Sequence, residues 1–273
     1  VWVFVVPSLF LNSISKFFMS FCFLPAAPKN PSRILGGDET TIDKYPSMAA
    51  LIYSPDMVTF RWFCGGSIIN NRSVMSAAHS LLGINPSTIR VRVGSSFSNS
   101  GGEILPLATM IIHPDYSPIT LQNDITILRT SVQITYSDIV QPAPIAGPSY
   151  NVADNEVVWA TGWGITEVSF LKTFVWTINQ DTCRRRYAFS FIPITTDMLC
   201  IGNLNVANYG HCMGDSGGPA YHNGVVIGVC SFGSDCGSRI FPNVNTRVSS
   251  YSTWLQENVL TAIKIFTSVV YLK

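Results

Sequence analysis

Along most of the chain, short runs of β-branched and aromatic residues alternate with clusters of glycine, serine, asparagine and proline. TIRVRVG at 88–94, DITILRT at 124–130, EVVWATGWG at 156–164 and GVVIGVCSFG at 224–233 read as strands, while SSFSNSGGE at 95–103 and IHPDYSP at 112–118 read as turns. From Ile34 onward this spacing predicts an all-β barrel or sandwich. Long helical periodicity is confined to the end. There YSTWLQENVLTAIKIFTSVVYLK, 251–273, sets Trp254, Leu255, Val259, Ile263 and Phe266 at the spacing of one helical face. Such a face predicts a helix packed on the body of the protein rather than one lying on a membrane.

The first 33 residues break the pattern. Two apolar stretches are split by Asn12, Ser13, Ser15 and Lys16, so no uninterrupted run approaches the roughly 20 apolar residues of a membrane helix. Residues 1–27 read as a signal-like segment with the small residues Ala26 and Ala27 near a cleavage point, and residues 28–33 as a short exposed pro-segment. Secretion without stable membrane insertion follows from that reading. Composition narrows the function classes further. With 47% hydrophobic residues, 12% charged residues and a formal net charge of +1, the chain is neither disordered nor a nucleic-acid binder. Its longest basic run, Arg184 to Arg186, reads as a solvated face. No internal repeat or low-complexity linker divides the 273 residues, and one domain or two fused barrels both remain open at this length.

Candidate chemistry begins at HCMGDSGGP, 211–219. A serine hydroxyl is a weak nucleophile until a base takes its proton, and a histidine base needs a carboxylate to fix its tautomer. His79 in MSAAHS and Asp124 in NDITIL supply both types. Alone, each has an ordinary reading, a hydrogen-bonded histidine and a turn aspartate. Their order ahead of Ser216 in GDSGGP is what points to nucleophilic catalysis.

RILGG at 33–37, CGGSII at 64–69, SAAH at 76–79, NDITIL at 123–128, TGWG at 161–164, GDSGGP at 214–219 and CSFG at 230–233 together resemble the trypsin and chymotrypsin family of serine proteases. The resemblance runs from residue 34 to about 258, and WTINQDTC and ITTDMLC are similar to digestive trypsin-like enzymes of insects. It implies two packed six-stranded antiparallel β-barrels with a C-terminal helix, so that residues 34–273 form one protease domain. It also implies a secreted, digestive serine endopeptidase, acting as a monomer in a gut lumen, without metal or cofactor. The implied partners are polypeptide substrates, a trypsin-like activating protease and protein protease inhibitors. The alternative is a weakly active or inactive homologue that acts by binding.

Residue by residue, the resemblance makes Ser216 the nucleophile, His79 the general base and Asp124 its orienting carboxylate, with the backbone N–H groups of Gly214 and Ser216 as the oxyanion hole. Cleavage after Arg33 would free the Ile34 ammonium to pair with Asp215. Ser231, Phe232 and Gly233 would take the substrate backbone as an added strand. Gly210 falls at the base of the specificity pocket, where trypsins carry an aspartate, so a substrate arginine or lysine would find no counter-ion. Gly233 would keep the mouth open and Asn243 would narrow the back wall, leaving large apolar or small-to-medium side chains as substrates. Asp235 is the one acid beside the rim. The family's pairing implies disulfides Cys183–Cys200 and Cys212–Cys236. Ser80 replaces the usual bridge partner of Cys64, so Cys22, Cys64 and Cys230 are left unassigned and a looser histidine loop is expected. Asn245 stands where an aromatic is common, and no metal site stands out, since Glu103 is the only carboxylate in the SSFSNSGGE loop.

Overall fold

The computed structural model describes residues 37–164, 169–207 and 209–259. Arg33, Ile34, Cys22, the signal-like and pro-segments, and the helical-face residues Ile263 and Phe266 lie outside them. A two-residue strand β1 (Asp38–Glu39) leads into six more: β2 (Met48–Tyr53), β3 (Arg61–Asn70), β4 (Ser73–Ser76), β5 (Ile89–Val93), β6 (Glu103–Ile112) and β7 (Thr126–Thr130). These six close as an antiparallel barrel in the order β2-β3-β4-β7-β6-β5. Closure removes the unpaired edges that an open sheet would present.

The second barrel follows with β8 (Val157–Gly162), β9 (Leu171–Thr177), β10 (Met198–Gly202), β11 (Pro219–His222), β12 (Val225–Phe232) and β13 (Asn243–Arg247). Its order is β9-β10-β13-β12-β11-β8, with β8 pairing back to β9, and β1 adds to the outside of β9 through Asp38 opposite Lys172. Two fused barrels are therefore the answer to the question the chain length left open. Strand alternation explains how each wall divides inside from outside. In LKTFVWT the residues Leu171, Thr173, Val175 and Thr177 are buried while Lys172, Phe174 and Trp176 face outward. In IRVRV, Ile89, Val91 and Val93 point into the first barrel, and the outward Arg92 is covered because its guanidinium donates to the Ser98 and Gly101 carbonyls of the next loop.

The barrels share a core. Met75, Ile125 and Ile127 of the first barrel pack in one cluster with Val158, Val175, Ile201 and Val229 of the second. The C-terminal helical segment 252–259 closes over it, with Leu255 buried and Trp254 and Val259 packed alongside. One element departs from the strand-only expectation before that end: a short helix α1 (Gln180–Arg186), capped by the Asn179 side chain, which accepts from the Asp181 and Thr182 N–H groups at 3.1 Å. Its seven residues bury only Cys183, so no apolar period could announce it. Arg184, Arg185 and Arg186 fall in its last turn, where cations are favoured by the helix dipole, and they are exposed as expected of a solvated face.

A shared core makes a local prediction. Ile127→Ala should cost ~2–5 kcal/mol of unfolding free energy, the range for emptying a fully buried aliphatic site. Urea unfolding followed by tryptophan fluorescence checks it, and an unchanged midpoint would mean that the two barrels do not lean on this side chain.

Candidate active site

Three loops converge where the barrels meet. His79 follows β4 after the fully buried Ala77 and Ala78, Asp124 stands just before β7, and Ser216 precedes β11. The Asp124 carboxylate is 0% exposed and is saturated with donors. It accepts from the His79 backbone N–H at 2.8 Å, contacts His79 Nδ1 at 2.7 Å and accepts from Ser231 Oγ at 2.5 Å. Thr246 Oγ1 holds its backbone carbonyl at 2.7 Å. Burial pushes the Asp124 carboxyl up, but the His79 charge and the bonds from His79 and Ser231 outweigh it, so the group lies below the usual carboxylate range. An ionised carboxylate only accepts, so the Nδ1 facing it carries the proton, and whenever the ring is neutral Nε2 keeps the lone pair.

His79 keeps 17% of its side chain exposed, toward a cleft of about 520 Å³ that Ser216 also lines. The approach to Asp124 is conformationally costly: Leu121 at φ 54° and Asn123 at φ 57° both sit in the left-handed region. Asn123 offsets this by donating to the Asp115 carbonyl at 2.8 Å and accepting from Tyr251 Oη at 3.0 Å. The loop after His79 lacks the bridge usual beside it and is held by other contacts. Leu81 and Leu82 both donate to the Ala78 carbonyl at 3.0 Å, and Leu81 is buried in the first-barrel core beside Cys64. Ser80 Oγ is buried with no hydrogen-bond partner among the described residues.

The loop carrying Ser216 is wound tightly. Asp215 N–H donates to Cys212, Gly218 N–H to Asp215 and Gly217 N–H to Cys230, whereas the N–H groups of Gly214 and Ser216 have no acceptor among the described residues. Gly214 adopts φ +91°, and a Cβ there would run into the Trp62 ring, so both conformation and space demand glycine. Asp215 is 1% exposed and accepts from the Gly164 and Cys212 N–H groups at 2.9 Å. Burial pushes its carboxyl up to about 7 despite those two bonds, and no cation faces it among the described residues.

The lower cleft is closed by a different set. Asn243 is 7% exposed, and its Nδ2 donates to the His211 carbonyl at 3.4 Å. A methyl group on Gly210 would collide with Asn243 Oδ1, and one on Gly233 would lie 2.8 Å from Nδ2. The carboxamide therefore lies between Gly210 and Gly233. Ser231, Phe232 and Asp235 line the same cleft, and the disulfide Cys212–Cys236 ties its rim with a Cα separation of 4.8 Å. Cys183 is bonded to Cys200; Cys64 and Cys230 are buried outside both bridges.

Two participants escaped the sequence reading. Ser231 was assigned to the substrate strand, yet its hydroxyl also holds Asp124. His211, inside HCMGDSGGP, lines the cleft with both ring nitrogens buried. Burial pushes its pKa down to about 4, with the Pro219 carbonyl facing the ring and acting the other way.

Two closed antiparallel barrels, with a serine and a carboxylate-bound histidine in the cleft between them, define the chymotrypsin-like class of serine hydrolases. The family model "Trypsin" matches residues 34–255. "Trypsin, alkaline C" of Manduca sexta is 48% identical over 246 residues, covering 88% of this chain and 96% of the relative. "Trypsin CFT-1" of Choristoneura fumiferana is 47% identical over 239 residues, 85% and 93%, and "Achelase-1" of Lonomia achelous is 46% identical over 235 residues, 82% and 100%. The chain belongs to the trypsin family and is a serine endopeptidase, similar to trypsins of insects.

Asp215 gives the fold a pH signature. Its folded pKa lies above its ordinary 3.8, so the folded chain holds that proton more tightly than the unfolded chain does. The associated stability is fully present below about pH 4 and is lost as pH rises through about 7. In the full-length chain, the Asp215→Asn variant should lose ~2–4 kcal/mol less stability than its parent between pH 4 and pH 8. Parallel urea-unfolding profiles for the two chains would show that a cation already neutralises the carboxylate.

Proposed function

We propose that this protein is a secreted digestive endopeptidase that works through His79, Asp124 and Ser216. One observation carries the reading: a buried Asp124 carboxylate grips both the backbone N–H and Nδ1 of His79, while Ser216 lines the cleft that His79 faces. His79 Nε2 takes the hydroxyl proton as Ser216 Oγ attacks the carbonyl carbon of the peptide bond. The N–H groups of Gly214 and Ser216 receive the negative charge that develops on the carbonyl oxygen. His79 returns the proton to the departing amine, the C–N bond breaks and an acyl-enzyme remains. Water, deprotonated by the same nitrogen, releases the acid and restores Ser216. Asp124 stays ionised throughout and stabilises the imidazolium.

The chain is made as a zymogen, with residues 1–27 as signal, 28–33 as pro-segment and 34–273 as the protease domain. A trypsin-like protease cuts after Arg33, and the new Ile34 ammonium pairs with Asp215, whose burial without a cation supports that role. The active form is a monomer in a gut lumen, open to polypeptide substrates and to protein inhibitors. The relatives bear the name trypsin, but Gly210 offers no carboxylate to a substrate cation. The pocket is therefore chymotrypsin- or elastase-like, taking an uncharged side chain before the cut bond.

Ser216→Ala and His79→Ala should each lower kcat by ~10⁴ or more, as expected of groups that act as a unit, with unfolding curves unchanged. Wild-type turnover in either variant would remove the proposed catalytic roles. On the trypsin-activated enzyme, a peptide library varied before the cut bond should show uncharged residues favoured over arginine and lysine by ~10-fold or more in kcat/KM, equivalent to ~1.4 kcal/mol. A tenfold preference for arginine instead would mean that Asp235 reaches the substrate.

A further inference from the structure

Resting on the reading that the chain is secreted, we propose that Asn71 is a glycosylation site. Its side-chain amide carries an N-linked oligosaccharide, added as the chain enters the secretory pathway.

The acceptor motif for that modification is asparagine, any residue but proline, then serine or threonine. Asn71-Arg72-Ser73 is the one stretch of the 273 residues that meets it; Asn30-Pro31-Ser32 and Asn85-Pro86-Ser87 are each barred by their proline. A three-residue match is weak alone, and the surroundings decide whether it can be used. Strand β3 ends at Asn70 and β4 begins at Ser73, so Asn71 and Arg72 are the whole of a hairpin loop. Backbone bonds pin that loop: Ile134 N–H donates to the Asn71 carbonyl at 2.8 Å, and Thr130 N–H to the Arg72 carbonyl at 3.0 Å. Arg72 N–H donates to the Asn70 side chain at 2.8 Å. Asn71 itself is exposed, and its carboxamide makes no hydrogen bond among the described residues. An unengaged amide at a loop tip can carry a bulky, hydrated sugar without disturbing the packing beneath.

The third residue of the motif behaves in the opposite way. Ser73 is 0% exposed, and its Oγ has no hydrogen-bond partner among the described residues. Buried hydroxyls are almost always bonded, yet this one brings the barrel no bond that an alanine would lack. It also sets the order of events. The motif is read through its hydroxyl, which the closed barrel hides, so transfer precedes the pairing of β4 with β7. In that step the Asn71 amide nitrogen bonds to the anomeric carbon of an oligosaccharide carried on a lipid diphosphate. The carbon–oxygen bond to the diphosphate breaks, the lipid diphosphate leaves with that electron pair, and the amide gives up one proton.

The site is clear of the catalytic groups. Gly65 N–H donates to the Ser216 carbonyl at 2.9 Å, and Asn71 stands six residues further along the hairpin, roughly 20 Å away at ~3.3 Å per residue. A glycan there leaves the cleft open.

The test expresses two forms in cultured insect cells: the full chain, and the same chain with residues 1–27 exchanged for an established signal peptide. Parent, Asn71→Gln and Ser73→Ala are compared on gels of lysate and medium before and after peptide N-glycosidase. Digestion in heavy-oxygen water then marks each formerly glycosylated asparagine as labelled aspartate. The parent should run as a slower band that collapses onto the position of both variants, with the label on residue 71 alone. Ser73→Ala keeps Asn71, so its loss of the sugar separates motif-directed transfer from any other change at the asparagine. An unlabelled Asn71 in the signal-exchanged chain overturns the proposal, as does a glycan that survives Ser73→Ala. If that chain is retained in the cells, its cleaved signal shows entry and the lysate band decides in the same way. Failure of the secretion reading looks different: the chain with its own residues 1–27 stays in the cells without sugar while the exchanged chain is glycosylated, and the site stands.

Discussion

Everything near the cleft depends on one buried carboxylate. An ionised Asp124 with no exposure to water is tolerable only if its oxygens are bonded on all sides, because the solvation lost on burial must be replaced. The replacements come from both barrels. His79 approaches from the first, and Ser231 and Thr246 from strands β12 and β13 of the second. Satisfying one charge therefore fixes how the two barrels meet, and the shared apolar cluster of Met75, Ile125, Ile127 and Val229 fills the space directly behind. The same bonds hold the His79 ring by its Nδ1 edge, so the geometry useful for chemistry is a by-product of solvating Asp124.

A second buried acid behaves differently. Asp215 has two backbone donors where Asp124 has side-chain partners as well, and its carboxyl rises where that of Asp124 falls. The contrast is in the number and charge of the partners, since both groups are fully buried. An acid left short of partners is a natural place for a switch: any cation delivered to it gains the solvation that the fold withholds. The tightly wound loop from Cys212 to Gly218 links that acid to Ser216 and to the Gly214 and Ser216 N–H groups, which have no acceptor among the described residues.

High identity to relatives along most of the chain speaks for fold and chemistry and says less about the pocket. Gly210, His211 and Asn243 are three positions in a chain of 273, so changes there barely move an overall identity of 48%. Specificity in such a site rests on a few side chains at the end of a slot, whereas the reaction rests on groups that every substrate meets at its backbone.

How much was legible beforehand divides along a physical line. Alternation in LKTFVWT and the β-branched runs determined the strands, because a strand with one buried face must repeat every two residues and the record is local. The glycines of GDSGGP were legible for a related reason: a tightly wound loop needs particular backbone conformations, and Gly214 at φ +91° is written into the sequence. Helix α1 was not, being too short to show a period. Nor were the Ser231 bond to Asp124, formed 107 residues apart, the place of the Asn243 amide between Gly210 and Gly233, or the burial of the His211 ring. Those contacts exist only because two barrels close and then dock, which brings together side chains whose spacing along the chain carries no period. The sequence by itself determined which groups face inward on each strand and which chemistry the loops could carry; tertiary closure decided which of them touch, since contact between distant strands depends on barrel register rather than on neighbours in the chain.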